Sequence, residues 1–94
     1  MIKSFADSDT EAVFKGYMVL SLPVQLLRPA LRKLLILDAA DDLQDLKRPP
    51  GNHLEKLKGK WLGKYSIRIN EQWRLCFEWR EGNAYSVEII DYHS

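Results

Sequence analysis

The hydrophobic period of this chain changes once, at the segment Lys47–Asn52, which reads KRPPGN. Before this segment, leucines recur at spacings of three and four residues, as the buried stripe of a helix requires. After it, β-branched and aromatic residues dominate the apolar runs, which is typical of strands. Because helices come first and strands second, the sequence predicts an α+β fold with helices packed on one small, mainly antiparallel sheet.

The part of the chain before this change is expected to open with a short strand, Ile2–Phe5. Ser8 and Glu11 have the spacing of a capping box, which predicts a first helix that ends near Gly16. With 94 residues the chain can enclose one modest core, so residues 1–94 are expected to form a single domain.

Residues 22–37 are rich in leucine and predict the second helix. Pro29 falls inside this run, so we expect either a kink there or a helix that begins near it. Leu43 and Leu46 predict one more helical turn. The positions expected on the buried face of the second helix are Val24, Leu27, Leu31, Leu34, Leu35 and Ala39.

Three runs of β-branched and aromatic residues, separated by turn signals, predict an antiparallel meander. They are Tyr65–Asn70, Trp73–Arg80 and Tyr85–Tyr92. The hydrophobic pattern favours pairing Ile69 with Trp73, which places Arg68 beside Arg74 on the face that the helices leave uncovered. The aromatic residues expected in the core are Tyr65, Trp73, Phe77 and Trp79.

The last hairpin is expected to turn at Gly82–Asn83, since glycine in the first position suits a type II′ loop. Pairing through that loop places Arg74 opposite Asp91 and Gln72 opposite His93. Strand alternation then puts Asp91 and His93 on one face, where one can abstract a proton while the other donates one.

This register also predicts a bulge in the last strand. Without one, Val87 and Ile89 would lie on the charged face and Glu88 would lie on the core face. A bulge would restore the hydrophobic pattern, and its position is left open.

Charge and composition narrow the classes of function. From Lys47 to Arg74, eight basic residues oppose two acids, for a net charge of +6 within a chain of net +1. Such a face can meet phosphates. Cys76 is the one cysteine of the sequence, so we expect no internal disulfide. With only His53 and His93 beside it there is no ligand spacing for zinc, and neither a metal nor a cofactor is expected. The sequence shows no membrane-spanning run, and a cytoplasmic protein is expected.

Several motifs together resemble the HigB toxins of bacterial toxin–antitoxin modules, in the RelE/ParE superfamily. They are MIKSF, RKLLILDAADDLQDLKRPPGN, LEKLKG, GKYSIRINEQWRLCFEW and VEIIDYH, and they span nearly the whole chain. The resemblance implies a RelE-like fold and a cytoplasmic ribonuclease that cuts mRNA in the ribosomal A site. It also implies a helix-turn-helix antitoxin (HigA-like) as partner, with operator DNA bound only through that antitoxin.

On the matching positions, the resemblance implies four catalytic residues: Lys58, Arg74, Asp91 and His93. We expect Lys58 and Arg74 to hold and neutralise the scissile phosphate. Either Asp91 or His93 is the base, and His93 is the better candidate for the acid. The further RNA-binding residues expected on the basic face are Lys56, Lys60, Lys64, Arg68 and Tyr92.

Two rival functions fit the same fold. One is the gyrase-directed activity found elsewhere in the superfamily, and the other is a non-catalytic RNA-binding or ribosome-binding module. The terminal Asp91 and His93 favour the nuclease, because a toxin that only binds needs no proton donor. Trp61 lies among lysines, where an exposed ring could contact antitoxin or RNA.

Overall fold

The computed structural model describes residues 1–92 and shows helices packed on one face of a four-stranded antiparallel sheet. The α-helices are α1 (Ser8–Phe14), α2 (Val24–Ala39) and α3 (Leu43–Lys47). The strands are β1 (Glu55–Lys56), β2 (Tyr65–Arg68), β3 (Trp73–Arg80) and β4 (Asn83–Asp91), in that spatial order. The predicted α+β class and the three-stranded meander are confirmed. The first strand, β1, was not predicted, because a strand of two residues is too short to show an alternation of apolar and polar side chains.

Asp7, and not the predicted Ser8, caps α1. The backbone of Asp7 is extended, and its Oδ1 accepts a 2.6 Å hydrogen bond from the amide of Thr10. The Asp7 carboxylate, one residue before the predicted cap, therefore satisfies a backbone amide in the first turn of α1. The buried hydroxyl of Thr10 also accepts a 3.1 Å hydrogen bond from the amide of Ile89, which ties α1 to β4.

Helix α2 begins at Val24 and runs through Pro29, so the second of the two alternatives, a helix that begins near the proline, is wrong. The predicted buried face is also partly wrong, because the side chains of Val24 and Leu35 are 66% and 53% exposed. Leucines occupy both sides of this helix, so periodicity alone does not fix the buried face. The side chains that α2 buries are Leu26, Ala30, Leu34 and Leu37.

The β2–β3 register agrees with the prediction. Tyr65 pairs with Phe77, and Arg68 pairs with Arg74. Beyond β2, the amide of Ile69 donates a 2.9 Å hydrogen bond to the carbonyl of Trp73. The aromatic residues Tyr65, Trp73, Phe77 and Trp79 pack in the main core, as predicted.

The β3–β4 hairpin turns at Glu81 and Gly82, because Arg80 pairs with Asn83. The predicted turn one residue later is therefore wrong. Both turn residues have positive φ, +51° and +81°, as in a type I′ loop. A Cβ on Gly82 would lie 3.1 Å from the carbonyl oxygen of Asp41, so the turn also needs glycine for close packing.

The predicted bulge lies in the first half of β4. Glu78 pairs with Tyr85, but the next pair towards the other end of the strands is Cys76 with Glu88. Two residues of β4 thus face one residue of β3. Ser86 is one of these two and has a left-handed φ of +51°. The bulge shifts the register by one residue, which exchanges the two faces of β4 beyond it.

Because of this exchange, the pairing of β3 with β4 beyond the bulge differs from the predicted pairing. Val87 is buried in the main core, and Ile90 turns to the opposite face, where it pairs with Arg74. Asp91 lies opposite Trp73, so the predicted pairing of Arg74 with Asp91 is wrong.

The segment 1–6 runs parallel to the outer edge of β4, where a strand was predicted. It pairs through two isolated bridges, at Ile2 and at Phe5. Between them, the hydroxyl of Ser4 accepts a 2.8 Å hydrogen bond from the amide of Ser86. The bulge interrupts the ladder, so the predicted strand takes the form of two separate contacts.

The sheet has two differently covered faces. The helices and the aromatic side chains enclose the main core on one face. On the other, Leu57, Cys76 and Ile90 form a small buried cluster with Trp61 packed against it. We call this second side the open face. Within residues 1–92, no helix has the length and apolar character needed to cross a bilayer.

Candidate functional site

Arg74 is the central residue of the open face. Strand alternation places it on the side of Cys76, away from the helices, yet only 7% of its surface is exposed. Its Nε donates a 2.7 Å hydrogen bond to the hydroxyl of Ser66, and its Nη2 donates to the carbonyl oxygen of His53. Contacts on two separate segments hold the guanidinium plane in one orientation.

The charge of Arg74 is balanced on one side by Glu55. The Glu55 carboxylate lies 3.6 Å from Nη1 of Arg74, and its side chain is 48% exposed. Burial lowers the pKa of Arg74 from its ordinary value, whereas Glu55 raises it and Arg68 lowers it further. An arginine remains protonated under such shifts, so the site keeps a fixed, partly buried positive charge.

Arg68 lies directly opposite Arg74 on the open face, as the sequence predicted. Its Nε donates a 3.1 Å hydrogen bond to the carbonyl of Asn70. Like charges that face each other across two strands repel, and an anion between or above them relieves this repulsion. Such a pair attracts a phosphate more strongly than a single exposed arginine does.

Tyr92 takes the place beside Arg74 that the sequence assigned to Asp91. The ring centroid of Tyr92 lies 5.6 Å from Cζ of Arg74, and the residue is 37% exposed. Asp91 accepts a 3.1 Å hydrogen bond from Nε2 of Gln72. The backbone amide of Tyr92 donates a hydrogen bond to the carbonyl of Gln72. In the backbone pairing, Tyr92 therefore lies opposite Gln72. The predicted catalytic His93, which was expected opposite Gln72, lies outside residues 1–92.

Lys58 is exposed and precedes the 3₁₀ turn Gly59–Trp61. The preceding residue, Leu57, is 2% exposed and belongs to the buried cluster of the open face. This anchor fixes where the backbone of Lys58 leaves the sheet. The ammonium group is therefore free to reach a ligand while its backbone stays in place.

Trp61 is half-buried against the cluster of the open face, so its ring is less exposed than its place among lysines suggested. The ammonium groups of Lys60 and Lys64 lie 5.3 and 5.9 Å from its ring centroid. Cation–π attraction holds both lysines near the same edge of the open face. Contact with Trp61 therefore places Lys60 and Lys64 close to each other.

Lys56 lies apart from the other predicted RNA contacts. In β1, Glu55 pairs with Ser66 on the open face, and Lys56 pairs with Tyr65 on the helix side. There Lys56 lines a groove of about 300 Å³ together with Lys47. Lys56 therefore lies on the other side of the sheet from Arg74, because the side chains of strand β1 alternate between the two faces, and its predicted contact with RNA stays a prediction.

Glu55 and Ser66 were not among the predicted site residues. The register did place Ser66 beside Arg74, so a signal for it existed in the hydrophobic pattern. Glu55 lies in a two-residue strand, and only tertiary contact brings it to Arg74. Within residues 1–92, no three His, Cys, Asp or Glu side chains converge in a way that could hold a metal ion.

Comparison with protein families gives one match that covers most of the chain. The family model for HigB-like toxins, described as the RelE-like toxin of the type II toxin–antitoxin system HigB, matches residues 3–93. Two curated relatives carry related names. Over 68 residues the chain is 48% identical to Toxin HigB-1 of Vibrio cholerae serotype O1, a match that covers 72% of each protein. Over 93 residues it is 31% identical to Endoribonuclease HigB of Proteus vulgaris, covering 99% of this chain and 100% of the relative.

The fold has a counterpart among solved structures. A chain in the heterotetrameric YoeB–YefM toxin–antitoxin complex of Staphylococcus aureus superposes with a TM-score of 0.53. The match covers 100% of this chain and 99% of that one, at 18% identity. At this identity the likeness supports the RelE-like fold alone.

Proposed function

Because this chain belongs to the HigB-like family of RelE-like toxins from type II toxin–antitoxin systems, we propose that it is a ribosome-dependent endoribonuclease. The structural observation that carries the proposal is the open face of the sheet. There Arg68 and Arg74 lie side by side, and the aromatic ring of Tyr92 packs beside Arg74. Lys58 is exposed on the loop that the buried Leu57 anchors to this face. A single RNA strand presents what this surface can bind, namely phosphates and unpaired bases.

The cleavage step is an attack of the 2′-hydroxyl on the adjacent phosphorus. The base removes the proton of the 2′-hydroxyl as the O2′–P bond forms, and the P–O5′ bond breaks as the acid protonates the departing 5′ oxygen. The products are a 2′,3′-cyclic phosphate and a free 5′-hydroxyl. We assign His93 as the acid and either Asp91 or His93 as the base. Because Asp91 lies opposite Trp73 and not opposite Arg74, it would act from the end of β4, beside Tyr92.

Lys58 and Arg74 stabilise the negative charge that grows on the phosphate oxygens. Arg74 cannot swing, because Ser66 and the carbonyl of His53 hold its guanidinium. A charge fixed in advance needs no reorganisation when the transition state forms, which makes its stabilisation effective. Nη1, which faces Glu55, is the donor that a phosphate oxygen would take over.

Tyr92 positions the nucleotide next to the scissile bond. Its ring is partly exposed and packs beside Arg74, so a base stacked on it would bring its own phosphate to the guanidinium. Arg68, Lys60 and Lys64 then contact the flanking phosphates, and this binding weakens as salt rises.

The proposal also includes a cellular setting, which the resemblance to HigB toxins suggests. The chain acts in the cytoplasm on mRNA in the ribosomal A site, and a helix-turn-helix antitoxin of the HigA type neutralises it. The toxin reaches operator DNA only through that antitoxin. Residues 1–94 act as one toxin domain, without a cofactor.

The test is to map RNA 5′ ends on translating ribosomes after adding the purified protein. We expect new ends within A-site codons. They should fall by about 100-fold or more with His93→Ala, in line with the usual contribution of acid–base catalysis. Lys58→Ala should also lower them. Lys3→Ala, which removes an exposed lysine beside the far edge of β4, is the matched control and should cut like the wild type.

Other outcomes would support one of the two rival functions. Linearised DNA in a gyrase assay, with no new RNA ends, would assign it to the gyrase-directed toxins. Ribosome binding without any cleavage would make it a binding module. Undiminished cleavage by a folded His93→Ala protein would remove His93 from the mechanism.

A further inference from the structure

The loop between α1 and α2 exposes an unusual amount of apolar surface. Tyr17, Met18 and Leu20 are 65%, 70% and 98% exposed, and Val24 at the start of α2 is 66% exposed. Isolated apolar residues on a surface need no explanation, but four within eight consecutive positions form a patch. A patch of this kind marks an interaction surface.

The patch continues into a groove between α1 and α2. This groove has a volume of about 230 Å³ and is lined by Val13, Tyr17, Met18, Leu27, Arg28 and Leu31. Val13 belongs to the main core, and Leu27 and Leu31 pack against it. An apolar side chain entering the groove would therefore add directly to the core of the protein.

Arg28 is the charged residue in this lining. Within residues 1–92 it forms no ion pair. Two acids of α1 have other partners. Lys15 pairs with Glu11 at 3.5 Å, and the hydroxyl of Ser21 donates to Asp9. The groove is thus complementary to an apolar segment that also carries a carboxylate.

The groove and the RNA-binding face lie on opposite sides of the sheet. The helices cover the face formed by Leu75 and Phe77, whereas Arg74 points away from them. A partner seated between α1 and α2 would therefore leave the guanidinium of Arg74 and the ring of Tyr92 uncovered.

We propose that the α1–α2 groove is the docking site of the antitoxin of this module, which inserts an apolar segment and places an acidic side chain against Arg28. The proposal rests on the antitoxin partnership of the family and is independent of the RNA chemistry. A second copy of the chain fits less well. A two-fold contact centred on the groove would bring Arg28 of both copies into one small interface, with no carboxylate from the groove lining to separate them.

The experiment measures binding of the purified toxin to its co-encoded antitoxin by calorimetry. Met18→Asp puts a charge into the apolar lining, and Arg28→Glu reverses the proposed ion pair. Each should weaken binding by at least about tenfold, because buried apolar anchors and desolvated charges dominate such interfaces. Leu35→Asp is the matched control. Like Met18→Asp, it adds a negative charge at an exposed apolar residue. Leu35 is 53% exposed, lies in α2 and does not line the groove, so the affinity should change less than about twofold.

A growth assay separates this proposal from the proposed function. Cells that express Met18→Asp toxin should arrest as with the wild type, yet co-expressed antitoxin should fail to restore growth. Wild-type affinity in both groove variants would overturn the docking site. So would a shift of the isolated chain from dimer to monomer with unchanged antitoxin affinity, since the groove would then join two copies. Failure of RNA cleavage would leave the calorimetric result intact.

Discussion

The Glu55 carboxylate lies 3.6 Å from Nη1 of Arg74, so the fixed arginine of the open face already faces an anion before any phosphate arrives. Glu55 comes from the short strand β1, whose pairing with Ser66 carries it onto this face. The other side of the guanidinium is held by Ser66 and the carbonyl of His53. RNA binding must therefore displace or tolerate this carboxylate, and Glu55 sets how strongly Arg74 attracts phosphate.

Glu55→Gln should tighten RNA binding. The change removes a negative charge beside Nη1 but keeps the shape of the side chain. Because Glu55 is about half-exposed, water screens the effect, and we expect a gain of roughly two- to fivefold in affinity. Fluorescence anisotropy with an RNA whose 2′-hydroxyls are methylated measures binding without cleavage.

Glu78→Gln is the control for this change. Glu78 pairs with Arg80 at 3.9 Å farther along β3, and both side chains are solvent-accessible. Its substitution removes the same charge at a distance from Arg74 and should have a smaller effect. Weaker binding by Glu55→Gln than by the wild type would show that the carboxylate orients Arg74 for RNA instead of competing with it.

The two faces of the sheet predict different effects for two basic residues. Arg68→Ala should reduce the salt dependence of RNA binding by about 0.7 in the slope of log K against log salt, the value for one phosphate contact on a single strand. Lys56→Ala should leave the slope unchanged, because Lys56 lies on the helix side of β1. Equal losses from both substitutions would mean that the RNA wraps around the edge of the sheet.

Ser86→Gly should stabilise the fold. Ser86 adopts a φ of +51° in the bulge of β4, a conformation that costs residues with a Cβ about 1–3 kcal/mol. After the entropic cost of glycine, a net gain of roughly 1 kcal/mol should raise Tm by about 4–8 °C. Ser86→Ala retains the Cβ and should bring no such gain. Thermal unfolding followed by circular dichroism compares the three proteins, and a lower Tm for the glycine variant would contradict the expectation.

Cys76 should stay unreactive in the folded protein. Burial raises the pKa of its thiol from 9.0 to about 11, and the thiolate is the form that reacts with iodoacetamide. We therefore expect slow alkylation of the native chain at pH 9.0 and fast alkylation in urea, both measured by mass spectrometry.

The same pKa shift predicts how stability changes in alkali. The unfolded chain releases the thiol proton near pH 9.0 and the folded chain near 11, so the folded state binds more protons between these values. The contribution of Cys76 to the free energy of unfolding is therefore complete below pH 9.0 and is lost as the pH rises towards 11. Cys76→Ala should flatten this part of the stability profile.

Much of the fold follows from local pattern. The shift from helical to strand period at Lys47–Asn52 predicts the α+β class, and alternation predicts the pairing of Ile69 with Trp73. Arg68 therefore stands beside Arg74 as expected. These predictions succeed because each rests on several apolar side chains that must all be buried together.

The candidate site was predicted less completely. The sequence indicated Arg74, Arg68 and the lysines, yet it paired Arg74 with Asp91. Because the hairpin turns at Glu81 and Gly82, each residue of β3 near the turn pairs with a residue two positions earlier in β4 than predicted. A shift of two residues leaves each side chain of β4 on its predicted face of the sheet. The bulge at Ser86 then moves it by one, and that single step brings Tyr92 to Arg74 in place of Asp91.

By itself, the sequence determined the class of fold, the central meander and the basic character of one face, because these depend on periodicity and charge that repeat along the chain. Only the tertiary structure decided that Glu55 and Tyr92 join Arg68 and Ser66 around Arg74. Glu55 arrives through a strand too short to show a period, and Tyr92 arrives through a bulge that one unpaired residue creates. Both depend on contacts between segments that are distant in sequence, where a shift of one residue reverses a face at little cost to the local pattern.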